Sequence, residues 1–130
     1  HYDHLDYATI MQLHERCKCI ITSLGVGCHL AHWGIPNGKI IELDWWQHTH
    51  VDGLGTLYAV PMRHFSGRAF TRCKTFWSGF VWQHQNTQML FGGDSGYGVH
   101  FTNIAERFGA MDVAVLECGQ YGDNWPVIHM

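Results

Sequence analysis

The pattern of apolar and polar residues along the chain predicts three helices and six strands. Apolar residues at helical spacing predict a first helix over residues 5–16 and a second over residues 24–33, which Gly34 and Pro36 end. Residues 101–108 predict a third helix, closed by Gly109. Shorter apolar or alternating runs predict the strands, which are CIITSLG, GKIIELDWW, GTLYAVPM, KTFWSGFVWQ, TQMLFGGD and MDVAVLEC. The last run is continuously apolar, and we expect it to be buried.

The order of these elements predicts the fold class. Helix, strand, helix, several strands, helix and strand favour one mixed α/β layered domain over residues 1–130, with many antiparallel strand pairs. Polar clusters come directly after three predicted strands, and these are RHFSGR, DSGYG and GQYGDNWPVIHM. Because rigid strands hold the side chains of the following loops in register, we expect a functional site in these loops.

Composition narrows the class of function. Eight basic and eleven acidic side chains give a net charge of −3, which argues against a nucleic-acid partner held by bulk positive charge. Eleven histidines are unusual, because histidine is the commonest metal ligand. Five cysteines, an odd number without framework spacing, favour a reducing, cytoplasmic compartment. The pair Cys17 and Cys19 is interpreted as two small apolar residues near a helix-to-strand junction.

The first four residues are rich in metal-ligand side chains. Imidazole nitrogen and carboxylate oxygen, as in His1, Asp3 and His4, suit zinc. Their close spacing predicts two adjacent metals rather than one, although chance in a histidine-rich chain is an alternative. Since this cluster stands at position 1 without an initiator methionine, we expect an upstream piece of the protein to be absent.

His64 and Asp94 strengthen the metal hypothesis. Each lies in a loop of small residues after a predicted strand, and the glycines around Asp94 let the backbone approach a ligand closely. The alternative for Asp94 is an N-cap of the helix that begins near Phe101. A second string, HTHVDG at residues 48–53, resembles a metal motif, but its glycines favour an exposed hairpin, and no metal is assigned there.

Six segments in this order resemble the metallo-β-lactamase fold over essentially the whole chain. They are HYDHLD, IELDWW, VPMRHFSGR, KTFWSGFV, LFGGDSGYG and ECGQYGDNWPVIHM. The tryptophan-rich second segment and the end of the last one narrow the resemblance to the branch of N-acylphosphatidylethanolamine-hydrolysing phospholipase D and its bacterial relatives. The implied architecture is an αββα sandwich, of which this chain resembles the middle portion, truncated at both ends.

The resemblance also implies a set of metal ligands. In the family signature, H-x-H-x-D-H is followed by a distant histidine, an aspartate and a final histidine. His1, Asp3 and His4 match the end of the first motif, and His64 and Asp94 match the later histidine and the bridging aspartate. His1 and His64 would then serve one zinc, Asp3 and His4 the other, with Asp94 shared. The first and last histidines of the signature would lie outside residues 1–130, so metal binding by this chain alone is expected to be weaker. Missing upstream strands predict exposed sheet edges or association of chains into a homo-oligomer.

Other polar and aromatic residues are assigned roles by the resemblance or by position. The resemblance makes His129 a proton donor or oxyanion contact, the alternative being a histidine that orients a metal ligand. Arg68 and Lys74 are candidate phosphate contacts or solvated loop charges. Five tryptophans are expected to fill the core rather than line a lipid groove, namely Trp45, Trp46, Trp77, Trp82 and Trp125. Five histidines are expected at the surface or at helix caps, namely His14, His29, His32, His84 and His100.

The implied reaction is metal-assisted hydrolysis. Two zinc ions, with manganese or iron as alternatives, would activate a shared water, and Asp3 would hold and orient it as a catalytic residue. The expected substrate is a phospholipid or other small phosphodiester, as for a phospholipase D, and a lipid substrate implies transient contact with a membrane. Two alternatives are a lactonase or sugar-phosphate hydrolase and a metal-binding fragment without turnover.

Overall fold

The computed structural model describes most of the chain, and the described ranges are residues 1–68, 70–119, 124–125 and 127–130. For Arg68 the backbone alone is described, so its predicted phosphate contact lies outside the described side chains. The chain divides into two compact units. The first comprises His1–Asp44 and Phe65–Trp77, and the second comprises Trp45–His64 and Ser78–Met130. Both contain helices and strands, which agrees with the predicted α/β class.

Helix α1, Tyr7–Leu13, opens the first unit. It begins at the N-cap residue Asp6, whose carboxylate accepts a hydrogen bond of 2.8 Å from Thr9 N–H. A single 3-10 turn, His14–Arg16, follows it. The predicted helix over residues 5–16 is therefore confirmed in kind, but its α-helical part is shorter at both ends.

A parallel strand pair with a helix between its strands follows α1. Strand β1 is Ile20–Ser23, helix α2 is Gly27–His32, and strand β2 is Ile40–Leu43. Parallel strands need a crossover connection, and α2 forms part of it. The buried apolar side chains around this crossover are Val26, Leu30, Ile35 and Leu43.

Helix α2 begins three residues later than the sequence pattern predicts. Leu24 lies in the turn after β1, and its N–H donates a hydrogen bond of 3.0 Å to Leu43 O instead of entering the helix. Gly25 then turns the chain with φ of 89°, a conformation that favours glycine. Gly27 lies against Glu42, and Gly27 N–H donates a hydrogen bond of 2.8 Å to Glu42 Oε1. The remaining strands of this unit are the two-residue β5, Gly67–Arg68, and β6, Thr71–Arg72.

The second unit contains a five-stranded sheet. Its strands are β3 His48–Val51, β4 Gly55–Pro61, β7 Ser78–His84, β8 Thr87–Phe91 and β9 Val113–Val115. Their order across the sheet is β3-β4-β7-β8-β9. Neighbouring strands are antiparallel except β8 and β9, which are parallel. It follows that β4, β8 and β9 run in the same direction, and their carboxyl ends meet at one edge of the sheet.

Helix α3, Val99–Phe108, connects β8 to β9 and ends at Gly109, which has φ of 76°. The sequence predicted this helix and its end correctly, apart from two residues at its start. The buried apolar side chains of the second unit are Ala59, Val60, Met62, Val81, Leu90 and Ile104. Strands β3 and β4 form the exposed hairpin expected for HTHVDG, in which His48 lies opposite Tyr58.

The prediction that the last strand is buried is wrong, and the prediction that the tryptophans fill the core is wrong for Trp125. Strand β9 was expected to be buried, but Val113 and Val115 are 45% and 52% exposed. Among the described residues, β9 is the last strand of the sheet and pairs with β8 alone. A continuous apolar run therefore did not mean full burial. Four of the five tryptophans expected in the core are half-buried, and Trp125 is 51% exposed. The polar indole explains one of them, since Trp82 Nε1–H donates to Leu54 O at 2.6 Å near the surface.

Candidate functional site

Three of the predicted metal ligands form a cluster in the first unit, here called the N-terminal cluster: His1, Asp3 and His4. A 3-10 turn, Tyr2–His4, brings them together. One ligand atom from each lies within 4.8 Å of the others. His1 Nδ1 is hydrogen-bonded to Asp3 Oδ1, and the two imidazole rings meet edge to face with centroids 4.9 Å apart. The three side chains thus offer ligand atoms to a single position, and the prediction that they serve two adjacent metals stays a prediction.

The loop after residue 64 supports the N-terminal cluster within the same unit. Gly67 N–H donates a hydrogen bond of 3.3 Å to Asp3 Oδ1, which orients the carboxylate. Tyr2 N–H donates to Ser66 Oγ at 3.4 Å, and the Tyr2 ring stacks on His29 with centroids 4.0 Å apart. Beside these residues is a cavity of about 200 Å³, whose lining also includes Lys74. His29, which was expected at the surface or at a helix cap, is half-buried and packs on the Tyr2 ring.

A second cluster, here called the sheet-edge cluster, lies in the second unit and consists of His64, Asp94, Glu117 and His129. The first three residues follow the carboxyl ends of β4, β8 and β9, the three strands that run in the same direction. His129 reaches the cluster in a turn in which its N–H donates to Trp125 O at 3.0 Å. The topology of the sheet thus explains why residues far apart in sequence meet here.

The distances in the sheet-edge cluster are those of a metal-binding or acid–base site. His64 Nε2 lies 3.9 Å from Asp94 Oδ2, and the His64 and His129 rings meet edge to face at 5.0 Å. His129 Nδ1 lies 2.7 Å from Glu117 Oε2. Ligand atoms of Asp94, Glu117 and His129 lie within 4.8 Å of one another. The structure thus brings His64, Asp94 and His129 together as the sequence predicted, and it adds Glu117.

Ser95 anchors the loop that carries Asp94. It is completely buried, and its Oγ accepts a hydrogen bond of 3.0 Å from Arg63 N–H. The same hydroxyl lies 3.0 Å from His100 Nε2, while Ser95 N–H donates to Glu117 Oε1 at 2.8 Å. Burial, and secondly the positive charge of Arg63, lower the pKa of His100, which favours the neutral ring. His100 is therefore an interior hydrogen-bonding residue, and its expected place at the surface is wrong.

The alternative role for Asp94 as a helix cap is not observed. The N-cap of α3 is Gly98, and no side chain caps this helix with a hydrogen bond. The glycines of the loop have the expected steric role: Gly93 has φ of 61°, and a Cβ on Gly96 would lie 2.8 Å from Ile128 N. Asp94 is therefore placed by a tight loop at the sheet edge, as a ligand loop requires.

Other predicted non-ligands are found where they were expected. In the hairpin of residues 48–53, His50 Nδ1 bonds to Thr56 Oγ1 at 3.1 Å in an exposed position, and this hairpin contributes to none of the candidate metal groups found among the described residues. Cys17 and Cys19 lie between α1 and β1 as free thiols. Lys74 is exposed. Within the described part of the chain, none of the helices combines the length and apolar character needed to cross a bilayer.

Comparison with known proteins gives the family. The family described as "Beta-lactamase superfamily domain" matches residues 1–130. An uncharacterized protein of Mycobacterium tuberculosis is 44% identical over the whole chain, which spans 35% of that relative's length. The N-acyl-phosphatidylethanolamine-hydrolyzing phospholipase D 1 of Caenorhabditis elegans is 29% identical over 96% of the chain and 38% of its own length.

A solved structure is similar in fold. The diiron β-hydroxylase CmlA from Streptomyces venezuelae superimposes with a TM-score of 0.69 at 20% identity, over 89% of this chain and 23% of its own. The chain belongs to the beta-lactamase superfamily domain family, and its fold is the metallo-β-lactamase fold. The resemblance inferred from the motifs is thereby confirmed. The chain spans about a third of the length of the curated relatives described above.

Proposed function

We propose that the protein is a metal-dependent hydrolase whose metal ligands are the five residues predicted from sequence. Three of them, His1, Asp3 and His4, form the N-terminal cluster, and the other two belong to the sheet-edge cluster. Their imidazole nitrogens and carboxylate oxygens are the donor set that suits zinc, iron or manganese. One observation carries the proposal. The structure groups nitrogen and oxygen donors in the N-terminal cluster and again in the sheet-edge cluster, and these residues match a single family signature.

Zinc is the proposed metal, with two ions in the intact site. Bound there, the pair would supply Lewis acidity that makes water a nucleophile near neutral pH. The residues of this chain have complementary tasks. Asp3, oriented by Gly67 N–H, is proposed to align the attacking water. His129 is proposed to contact the oxygen that gains charge as the bond in the substrate breaks.

A phosphodiester is the proposed substrate, and hydrolysis of the phospholipase D type is the proposed reaction. Support comes from the nematode relative, an N-acyl-phosphatidylethanolamine-hydrolyzing phospholipase D, and from its similarity over 96% of this chain. The cavity beside the N-terminal cluster, with Lys74 in its lining, offers a positive charge next to Asp3's supporting loop. A phospholipid substrate would require transient contact of the protein with a membrane.

Metal analysis combined with hydrolysis assays tests the proposal. The wild-type protein is expected to contain zinc and to hydrolyse an aryl phosphodiester. Asp94→Ala removes the proposed bridging ligand, and we expect activity to fall by more than about 100-fold. Losing a residue that only hydrogen-bonds to a metal ligand costs about 10–100-fold, and losing the ligand itself should cost more. The matched control is His50→Ala on the exposed hairpin, which should keep metal and activity.

Two outcomes would contradict parts of the proposal. If Asp94→Ala retains its full metal content and full phosphodiesterase activity, the ligand assignment is wrong. Iron or manganese in place of zinc in the purified wild-type protein would overturn the metal assignment alone. Assays on N-acylated phospholipids in mixed micelles, with a panel of lactones alongside, distinguish phosphodiester from lactone hydrolysis.

A further inference from the structure

Glu117 and His129 form a carboxylate–imidazole pair at the sheet edge. Glu117 Oε2 lies 2.7 Å from His129 Nδ1, and both side chains are largely buried, with 13% and 16% of their surface exposed. An ionised carboxylate can only accept a hydrogen bond, so the His129 tautomer that pairs with it is the one that carries its proton on Nδ1. Nε2 is then the ring nitrogen left for other partners.

The other oxygen of Glu117 is fixed as well. Ser95 N–H donates to Glu117 Oε1 at 2.8 Å, and Ser95 is itself completely buried. Arg63 N–H and His100 Nε2 hold the Ser95 hydroxyl from two sides, each at 3.0 Å. The carboxylate therefore connects the backbone next to Asp94 with the His129 ring, through hydrogen bonds that leave it little freedom to rotate.

The pair lies against the predicted ligands of the second unit. Glu117, His129 and Asp94 have ligand atoms within 4.8 Å of one another, and the His129 ring meets the His64 ring edge to face. A carboxylate in this place has two roles open to it, as a further metal ligand or as a residue that orients His129. Since both of its oxygens already accept hydrogen bonds from protein donors, the second role fits the observed geometry better.

We propose that Glu117 is a positioning residue, which fixes the ring plane and the Nδ1–H tautomer of His129 so that Nε2 is the atom presented to the substrate. This inference rests on the proposed hydrolase function, in which His129 contacts the reacting oxygen. Histidines that bind metals or substrates commonly depend on such a partner, because the hydrogen bond to one ring nitrogen decides what the other can do. Glu117 then acts on the reaction through His129 without touching the substrate.

Glu117→Gln tests the proposal with little change of shape. The amide can still accept from Ser95 N–H through its oxygen, but its NH₂ group then faces His129 Nδ1 and favours the tautomer protonated at Nε2. We expect kcat to fall by about 10–100-fold, with KM and the metal content per chain each within about twofold of wild type. Glu117→Asp, which keeps the carboxylate, should recover part of the activity. The matched control is Glu106→Gln, on the exposed face of α3, which should leave kcat unchanged.

A double variant separates positioning from an independent effect. If Glu117 acts through His129, then His129→Ala combined with Glu117→Gln should be no slower than His129→Ala alone, since residues that act as a unit are not additive. Additive losses in the double variant would overturn the proposal. A metal content that falls in Glu117→Gln would also overturn it, and would assign Glu117 as a ligand instead.

The tautomer itself gives a readout that does not depend on turnover. Long-range ¹H–¹⁵N correlation spectra of the histidine rings should show His129 protonated at Nδ1 in the wild-type protein and at Nε2 in Glu117→Gln. An unchanged His129 tautomer in the variant contradicts the inference even if the protein proves to be an active hydrolase. A changed tautomer in a protein that hydrolyses none of the tested substrates contradicts the proposed function and leaves the positioning contact supported.

Discussion

Gly96 offers a sharp test of how the Asp94 loop is packed. Its N–H donates to Arg63 O at 2.9 Å, and the residue is buried where residues 127–128 pass closely over it. A Cβ built on Gly96 would lie 2.5 Å from Val127 O and 2.8 Å from Ile128 N. These are backbone atoms, so they cannot rotate away as the end of a flexible side chain could. Gly96→Ala therefore forces part of the loop, or the turn that carries His129, to move.

The size of the effect follows from the overlap. Ordinary contacts of a Cβ begin at 3.4 Å and the nearest backbone atom is Val127 C, so the backbone must shift by about 1 Å. Overpacking of this kind costs about 1–3 kcal/mol. Replacing glycine by alanine also restricts the unfolded chain, which returns about 0.4–1 kcal/mol. We expect the free energy of unfolding of Gly96→Ala to fall by about 1–2 kcal/mol.

Urea unfolding followed by tryptophan fluorescence measures this change. With a slope of about 1–3 kcal/mol per molar urea, the expected loss lowers the midpoint by about 1 M. The matched control is Gly38→Ala. A Cβ added to Gly38 would have no atom within 4 Å, and its φ is not one of the positive values that favour glycine. The control should unfold at or slightly above the wild-type midpoint. Equal midpoints for Gly96→Ala and Gly38→Ala would refute the close packing of residue 96 against residues 127–128.

Two further predictions concern the interior. Leu30 is fully buried in the first unit, so Leu30→Ala should lower the free energy of unfolding by about 2–5 kcal/mol. The control is Leu54→Ala at a 59% exposed position, which should change this free energy by less than about 0.5 kcal/mol. Similar losses in the two variants would contradict the assignment of Leu30 to the core. Burial, and secondly the charge of Arg63, hold the pKa of His100 below its ordinary value of 6.5. As the pH falls, His100 therefore binds a proton in the unfolded chain before it does so in the folded protein. Its contribution to the free energy of unfolding should be fully present above about pH 6.5 and should decline below that pH. Urea midpoints measured between pH 7.5 and 5 should therefore fall less steeply in His100→Gln than in wild type, and equal slopes would contradict the buried neutral ring.

Much of the candidate site could be predicted because its residues follow local patterns. His64 and Asp94 come after apolar runs that do form strands, and the first four residues form their cluster within one 3-10 turn. Such features depend on neighbours in sequence, which a pattern of apolar and polar residues can represent. The assignment of all five ligands to one pair of metals stays a prediction.

Glu117 was missed because its role depends on long-range topology. In the sequence it stands inside an apolar run, MDVAVLEC, that indicates a strand and no chemistry. Its pairing with His129 requires β9 to lie parallel to β8 and the chain after residue 124 to return to the same sheet edge. Neither condition leaves a local signal. The signal that the sequence did contain is position, since Glu117, like His64 and Asp94, comes directly after an apolar run that predicts a strand.

Burial was harder to predict than secondary structure for a related reason. An apolar run has the same appearance whether another element covers it or not, and for Val113 and Val115 the sheet ends there as described. His100 shows the converse, since its polar ring is only 8% exposed and lies 3.0 Å from the buried Ser95 hydroxyl, while Arg63, distant in sequence, contributes a nearby positive charge. In both cases burial depends on contacts that the apolar and polar pattern of one segment does not contain.

The two compact units are interleaved along the chain, because residues 65–77 complete the first and lie between two segments of the second. During synthesis, the first unit therefore stays unfinished until 20 residues belonging to the other have left the ribosome, those of Trp45–His64. Neither unit corresponds to one uninterrupted stretch, so cutting the gene at a single point cannot yield either as a separate product. Dissecting this protein would require a rearranged gene in which His1–Asp44 is joined to Phe65–Trp77 by a designed linker.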